Sequence, residues 1–432
     1  MKIPTIELRS RADIKAFQEE KLKHLLEYLF ANSPYYQRIF KQHQIEVSSI
    51  RSLEDLRKIP FTTKDDLQHY NEEFLCVSHK EIIDYVTTSG TLGEPVTVAL
   101  TDADLDRLAY NEAISFACSG ITANDTIQLM TTIDRRFMAG LAYFLGARKL
   151  GAGIVRVGSG VPELQWDSIL KFNPTYLVCV PSFLLKLIDY AKQHDISLSE
   201  TSVKAAICIG EPIREADFGL NLLANNIKEA WDIELYATYA STEMSTAFNE
   251  CASHRGGHQH PELIITEIVD ENDVPVEEGV AGELVITTLG VEGMPLLRFK
   301  TGDIVEAHTD GCECGRNTPR LGPVLGRKQQ MIKYKGTTLY PPALYNVLHH
   351  FTEIETFVIE LFQNELNTDE IRIKIAVEQP SEALTQKIID HFRAKLRVRP
   401  TIAFCTAAEI DSIRQPAMSR KPVWLIDTRN KH

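Results

Sequence analysis

A chain of 432 residues exceeds what one hydrophobic core ordinarily organises, so at least two domains are expected. Apolar residues at 44% and charged residues at 24% are ordinary for a globular chain, and the formal charge of -13 disfavours general binding to nucleic acid or to an anionic membrane surface. Residues Met1 to Ser10 lack the apolar core of a secretory leader, and the longest apolar run, Tyr176 to Ile188, is too short for a bilayer, so a cytoplasmic protein is expected.

Residues 12–45 carry Phe17, Leu22, Leu25, Leu26, Leu29 and Phe30 near helical spacing, with a break at Ser33-Pro34. Ser52 to Leu56 and Thr63 to Leu67 open with a hydroxyl residue and acids, which predicts short capped helices. From Ile82 to about Leu297, β-rich runs alternate with helical stretches. The runs start at Ile82, Thr126, Gly153, Tyr176, Ala205, Ile233 and Glu283. Such alternation predicts parallel α/β layers. The last hundred residues change character, with strands expected from Ile332, Thr356, Ile371 and Ile402 and a helix from Ser381 to Leu396. The prediction is an α/β protein: a large multi-sheet N-terminal domain, 1–326, and a small mobile α+β C-terminal domain, 327–432.

Directly after the first β-rich run stands Thr87-Thr88-Ser89-Gly90-Thr91-Leu92-Gly93-Glu94-Pro95. Glycines let a backbone turn tightly and approach an anion, while hydroxyls and backbone N–H groups supply donors. The composition suits a phosphate-holding loop, with a polar hairpin as the plainer alternative. The Gly-Lys-Ser/Thr ending of a Walker loop is missing.

Further segments follow in order: Gly210-Glu211-Pro212, Tyr239-Ala240-Ser241-Thr242-Glu243, Arg298-Phe299-Lys300-Thr301-Gly302-Asp303, Gly326-Arg327, Lys333-Tyr334-Lys335-Gly336 and Ser419-Arg420-Lys421. Two earlier segments join them, Asn32-Ser33-Pro34-Tyr35-Tyr36 and Ile59-Pro60-Phe61-Thr62-Thr63-Lys64. In this order the set resembles the adenylate-forming superfamily of acyl-CoA synthetases, and within it the phenylacetate–coenzyme A ligase family. The resemblance extends over essentially the whole chain.

The resemblance implies an N-terminal adenylate-forming domain and a C-terminal lid. It implies ATP, magnesium and coenzyme A as cofactors and a carboxylic acid, phenylacetate or a similar aryl acid, as substrate. Thr88, Ser89, Gly90, Thr91 and Gly93 match the loop that holds the β- and γ-phosphates. Gly210, Glu211 and Pro212 match a segment lining the adenine pocket. In the segment Tyr239, Ala240, Ser241, Thr242, Glu243 the tyrosine stacks near adenine, a small polar residue faces the α-phosphate and the glutamate holds Mg²⁺. Asp303 matches the ribose-binding aspartate, Arg327 the junction arginine that reaches the nucleotide, and Lys421 the mobile lysine at the α-phosphate and substrate carboxylate. Thr242, Glu243 and Lys421 form the catalytic set. A homodimer also follows from the resemblance.

These roles have independent physical sense. A carboxylate such as Asp303 can accept both donors of a ribose diol. A hard cation on phosphates takes an oxygen ligand such as Glu243. Charge building on the α-phosphate favours a fixed cation such as Lys421. The sequence also departs from the pattern. Glu94 stands where a basic residue is usual, Gln329-Gln330 where acids are common, and Pro416-Ala417-Met418 leads into Ser419-Arg420-Lys421. The stretch Thr131 to Gly140 lacks the glycine-rich aromatic run expected beside an aryl pocket. Arg135 or Arg136 could hold a carboxylate or a coenzyme A phosphate, with a structural salt bridge as the equal alternative, and residues near Phe137, Tyr143 and Tyr236 are the candidate walls of the acid pocket. Two other readings remain open. One is adenylation with delivery to a carrier protein or an amine. The other is a catalytically impaired nucleotide-binding regulator, motivated by Glu94 and the altered tail.

Cysteine placement adds a metal expectation. Cys251, His254, His258 and His260 cluster within ten positions, and Cys312 and Cys314 follow in Gly311-Cys312-Glu313-Cys314-Gly315. Thiolates with imidazole suit tetrahedral zinc. The preferred four are Cys251, His258, Cys312 and Cys314, with His254 or His260 as substitutes for His258 and free thiols as the alternative. Cys76, Cys118, Cys179, Cys208 and Cys405 lie singly in apolar surroundings and are expected as buried thiols.

Overall fold

Local signals decide the first elements. Helix α1 (Arg11–Asn32) starts at Ser10, whose side chain accepts from the Asp13 amide, and buries Ile14, Gln18, Leu22, Leu25, Leu26 and Leu29. Ser33 ends it and caps α2 (Pro34–Gln42), where Pro34 takes the first-turn position that needs no N–H donor. A capping box at Ser52 opens a 3₁₀ turn over Leu53–Lys58, and a second, at Thr63, opens α3 (Lys64–His69). The computed structural model describes residues 3–88, 95–334, 337–364, 369–414 and 423–429.

The chain divides into two compact units, Met1–Thr301 with Val305–Val324, and Gly302–Ile304 with Leu325–His432. In the first, hairpin β1 (Ile82–Thr87) and β2 (Thr97–Thr101) leads into α4 (Asp102–Cys118). Then come β3 (Thr126–Leu129), α5 (Met138–Leu150), β4 (Gly153–Arg156), α6 (Pro162–Phe172), β5 (Tyr176–Cys179), α7 (Pro181–Gln193), β6 (Ala205–Cys208), α8 (Leu222–Ala230) and β7 (Glu234–Ser241). Five of these strands pair in parallel, in the order β4-β3-β5-β6-β7. Of the central three, β5 and β6 are continuous apolar runs, as strands covered on both faces require.

At β7 the sheet changes character. Residues Glu234–Ala237 pair in parallel with β6, whereas Thr238–Ser241 pair antiparallel with β8 (Thr246–Glu250). Beyond β8 lie β9 (Gly257–His258) and then, after β10 (Ile264–Val269), β11 (Gly282–Thr288) and β12 (Phe299–Val305), the short strands β13 (Ala307–His308) and β14 (Arg320–Leu321). The full order is β13-β14-β9-β8-β7-β6-β5-β3-β4, nine strands. A second sheet runs β10-β11-β12. Tyr36 and Thr62, from the two N-terminal segments, meet just before its last strand: the Leu297 amide donates to Tyr36 Oη (2.8 Å) and Thr62 Oγ1 donates to the Leu297 carbonyl (2.7 Å).

The second unit contains β15 (Gly326–Arg327), β16 (Ile332–Tyr334), β17 (Thr337–Leu339), α9 (Pro341–His349), β18 (Ile354–Gln363), β19 (Asp369–Val377), α10 (Glu382–Leu396), β20 (Thr401–Phe404), α11 (Ala407–Arg414) and β21 (Leu425–Asp427). Its main sheet has the order β20-β19-β18-β21 and packs over Leu344, Leu348, Ile388 and Phe392. Asp303 and Ile304 pair with Arg327 and Gly326 inside this unit. No helix among the described residues is long and apolar enough to cross a membrane.

All eight cysteines are free thiols. Cys405 departs from the expected burial. It is half-buried because it follows β20, an edge strand with one side open. Helices α4 and α5 approach closely at Gly146, where a Cβ would stand 2.3 Å from that of Glu112. The Glu112 carboxyl is buried beneath them, with Asn111 Nδ2 donating to it at 3.0 Å, and burial pushes its pKa up to about 8. An acid raised in the folded state stays protonated while its unfolded counterpart ionises, so it lowers stability as pH rises from about 4.5 to 8. Glu112→Gln is therefore expected to gain on the wild type by about 1.4 kcal/mol per pH unit across that window. Urea midpoints at pH 5 and pH 8 check this, and an equal difference at both would refute it.

Candidate active site

The carboxyl ends of β5, β6 and β7 lie along one edge of the parallel half-sheet, where open α/β sheets place their ligands. After β6, Gly210 adopts φ 76°, a left-handed conformation open to glycine, and turns the chain into Glu211-Pro212. The Glu211 carboxylate accepts from the Ser182 amide and hydroxyl, both 2.9 Å, at the start of α7. An anion there is favoured by the helix terminus. Glu211 thus ties the ends of two strands together, and its carboxylate is engaged by protein.

After β7, Tyr239-Ala240-Ser241 runs into a tight turn through Thr242 and Glu243. The Ser241 hydroxyl accepts from the Met244 amide at 3.3 Å, and Tyr239 packs near Phe248, ring centres 6.0 Å apart. The Glu243 side chain is largely buried, with Lys64 Nζ 3.9 Å from its Oε1. The turn is held from behind by Arg107 on α4. Its guanidinium donates to the carbonyls of Ser245 (2.5 Å), Leu263 (2.6 Å) and Leu289 (2.7 Å) and to Thr246 Oγ1 (3.1 Å). Burial pushes the Arg107 pKa down to about 10, still cationic at neutral pH.

A second buried cation supports the same edge. Arg214, just beyond Pro212, makes a double contact with Glu250 (3.0 Å) and donates to the Leu235 carbonyl. Glu250 also accepts from the Ala237 amide at 2.9 Å, where β7 changes partner. Nothing in the sequence pairs Arg107 with Ser245 or Arg214 with Glu250, because both contacts are long-range.

Thr88 closes the neck of the glycine-rich loop. Its amide donates to the Val96 carbonyl (2.9 Å), and its Oγ1 accepts from the Val96 amide (3.0 Å). Ser89, Gly90, Thr91, Gly93 and Glu94 lie outside the described residues, as does Lys421. Within the second unit, Arg327 Nε donates to Asp303 Oδ1 at 3.2 Å. Tyr143 and Tyr236 join one buried cluster, whereas Phe137 lines a surface cavity of about 390 Å³ with Ile83, Tyr85 and Leu105. Arg135 and Arg136 occupy consecutive left-handed conformations, and the Arg136 carbonyl accepts from the Thr87 amide.

Cys251, His258, Cys312 and Cys314 converge, with one ligand atom from each within 4.8 Å of all the others. Cys251 Sγ stands 3.5 Å from Cys312 Sγ and Cys314 Sγ 3.4 Å from His258 Nε2. A zinc tetrahedron with bonds near 2.3 Å has edges of roughly 3.8 Å, so these separations fit that ion. The other ring nitrogen of His258 meets Thr318 Oγ1 at 3.0 Å. Cys251 caps the end of β8, and β9 approaches β8 closely because Gly257 has no Cβ to strike the Phe248 carbonyl. Hydrogen bonding from Cys251, then from His258 and Arg316, holds the Cys314 thiol well below its usual range. His254 is elsewhere, 3.4 Å from both Glu234 and Glu250, and His260 pairs with Glu7.

The family model described as "AMP-binding enzyme" matches residues 31–293. A "Phenylacetate-coenzyme A ligase" of Thermus thermophilus is 33% identical over 92% of this chain and 90% of its own. Another of that name, from Escherichia coli, is 28% identical over 89% of this chain and 87% of its own. Among solved structures, a 2-hydroxyisobutyryl-CoA ligase in the postadenylation state with 2-HIB-AMP superposes with TM-score 0.84. It is 22% identical and covers 98% of this chain and 91% of its own. That likeness speaks for the fold.

The Arg214–Glu250 pair yields a test. Arg214→Met leaves a buried carboxylate without its cation and is expected to cost about 3–5 kcal/mol. The urea midpoint of the first unit reports it, and a loss below about 1 kcal/mol would show that Glu250 is satisfied without Arg214.

Proposed function

The chain belongs to the AMP-binding enzyme family and is an AMP-forming acid–coenzyme A ligase of the phenylacetate-coenzyme A ligase group; from that premise we propose the acid and the residues that act on it. The acid is phenylacetate or a similar aryl acid, in line with the names of the relatives that match over nine-tenths of both chains. The observation that carries the site is the common edge of β5, β6 and β7, where Glu211 fastens one segment and Arg107 the turn behind Glu243.

In the proposed reaction a carboxylate oxygen attacks the α-phosphorus of ATP, the bond to pyrophosphate breaks, and an acyl-adenylate forms. The sulfur of coenzyme A then attacks the acyl carbon and AMP leaves. Gly210, Glu211 and Pro212 line the adenine with backbone and side-chain methylenes, since the Glu211 carboxylate is engaged at Ser182. Tyr239 offers a ring face on the same edge, followed by the small residues Ala240 and Ser241. Thr242 sits in the turn next to Glu243, with its hydroxyl assigned to the α-phosphate. Asp303 accepts from the ribose diol while Arg327 holds it. Thr88 frames the loop containing Ser89, Gly90, Thr91 and Gly93, which is assigned the outer phosphates, and Lys421 is assigned the α-phosphate.

Glu243 would hold magnesium, which when bound neutralises phosphate charge. Cys251, His258, Cys312 and Cys314 would hold a structural zinc. What supports it is the donor chemistry, the near-tetrahedral separations and the Thr318 bond that orients the His258 ring. The zinc would fix the end of β8 against the loop before β14, behind the strand that pairs with Tyr239–Ser241.

Exchange of labelled pyrophosphate into ATP, dependent on added acid, tests the reaction. Phenylacetate is expected to support exchange, and Glu243→Gln to reduce it by about a hundredfold to a thousandfold. Exchange with aliphatic acids alone would remove the aryl assignment, and exchange with no acid would remove the adenylation. For the metal, the Cys312→Ser, Cys314→Ser protein is expected to purify without zinc and to melt roughly 10 °C lower, the shift that a few kcal/mol produces in a domain of this size. An unchanged melting temperature in both metal-loaded and metal-free protein would refute it.

A further inference from the structure

Beside the thiol and imidazole cluster lies a buried charged chain that the reaction does not use. Glu7 is fully buried, although it sits in the 3₁₀ turn Thr5–Leu8 that precedes α1. Its Oε2 accepts from Arg316 Nε at 2.7 Å and its Oε1 meets His260 Nδ1 at 2.6 Å. The guanidinium of Arg316, also buried, points its Nη1 at Cys314 Sγ, 3.5 Å away. On the other side, His260 Nε2 stands 3.3 Å from Ser115 Oγ on α4. The backbone runs alongside: the Asn317 amide donates to the Glu7 carbonyl at 2.8 Å, and Asn317 Nδ2 donates to the Arg9 carbonyl at 3.1 Å.

A carboxylate in so buried a place requires compensation, and here two partners supply it. Burial alone would raise the Glu7 pKa, but His260 and Arg316 outweigh it and hold it down. The further consequence concerns charge at the cluster. Three thiolates and one neutral imidazole around Zn²⁺ carry a net −1, which a buried site tolerates poorly. Arg316 is the cation placed to offset it, and Glu7 is the group that aims Arg316.

We propose that Glu7 and Arg316 form an outer-sphere latch on the metal centre, through which the segment before α1 controls retention of zinc. The latch rests on the zinc reading made above. Glu7 and Arg316 are positioning residues that touch no ligand of the reaction: Arg316 donates to the Cys314 sulfur, and the Glu7 carboxylate accepts from Arg316 and so fixes its loop. The neighbouring arm through His260 and Ser115 anchors Glu7 to α4 without reaching a thiolate.

The test uses the full-length protein and zinc itself. Metal content is measured first, then zinc release into excess chelator is followed with a colorimetric indicator. Glu7→Gln and Arg316→Lys are expected to release zinc at least roughly tenfold faster than wild type, the scale on which outer-sphere partners act. Ser115→Ala, which leaves Glu7–Arg316 intact, is expected to release it at the wild-type rate. The melting temperatures of metal-loaded and metal-free protein separate latch from simple packing. A latch shrinks the gap between the two forms in Glu7→Gln, whereas a packing contact lowers both equally. Wild-type protein that neither carries nor takes up zinc would overturn the metal centre and the latch with it. Wild-type protein that holds zinc, with Glu7→Gln releasing it at the same rate and an unchanged gap, would overturn the latch alone.

Discussion

The arrangement depends on one strand having two partners. β7 gives its first four residues to β6 in parallel and its last four to β8 in antiparallel. A purely parallel continuation would cover the end of β7 with a crossover helix. The antiparallel return instead keeps Tyr239–Ser241 hydrogen-bonded past the end of β6. The segment is then held by a strand ladder, yet it stands at the carboxyl edge where ligands approach. Ala237, at the change-over, gives its amide to the Glu250 carboxylate.

Buried charge supports that edge. The side chains of Arg107, Arg214 and Arg298 are all largely withdrawn from solvent, and each spends donors on main-chain carbonyls. Among the described residues the direct partners of Arg107 are carbonyls and a hydroxyl, which leaves it cationic among fixed dipoles. Arg298 is clamped by Glu267 and lies over the Phe61 ring at 4.0 Å. Irregular backbone near the site needs partners of this kind, because turns make few ladder bonds of their own. A protein of net charge -13 thus keeps several of its cations inside, where they hold the chain.

Particular residues show how far the sequence was legible. Ser10, Ser33, Ser52 and Thr63 start elements where capping chemistry says they should, since a cap involves only three or four neighbouring positions. The apolar runs of β5 and β6 were equally legible, because strands buried on both faces tolerate few polar residues. Cys405 was misjudged as buried: its neighbours are apolar, but burial depends on whether β20 has a strand on both sides, and among the described residues it has only β19. Lys64 ended a segment noted for its resemblance, yet its place beside Glu243 could not be read from a separation of 179 positions, 243 − 64.

The sequence by itself determined the chemical kinds present: a hydroxyl-rich glycine loop, acids and bases in a diagnostic order, and six cysteines and histidines in two short stretches. It also determined the family, since order along a chain survives without coordinates. Tertiary structure alone decided which of those groups meet. His254, His258 and His260 are equivalent donors within seven positions of sequence. Only the pairing of β9 between β8 and β14 brings His258 to the cysteines, leaves His254 with Glu234 and Glu250, and gives His260 to Glu7. Covalent order constrains near neighbours, whereas proximity across 60 or 250 residues is set by strand register and packing.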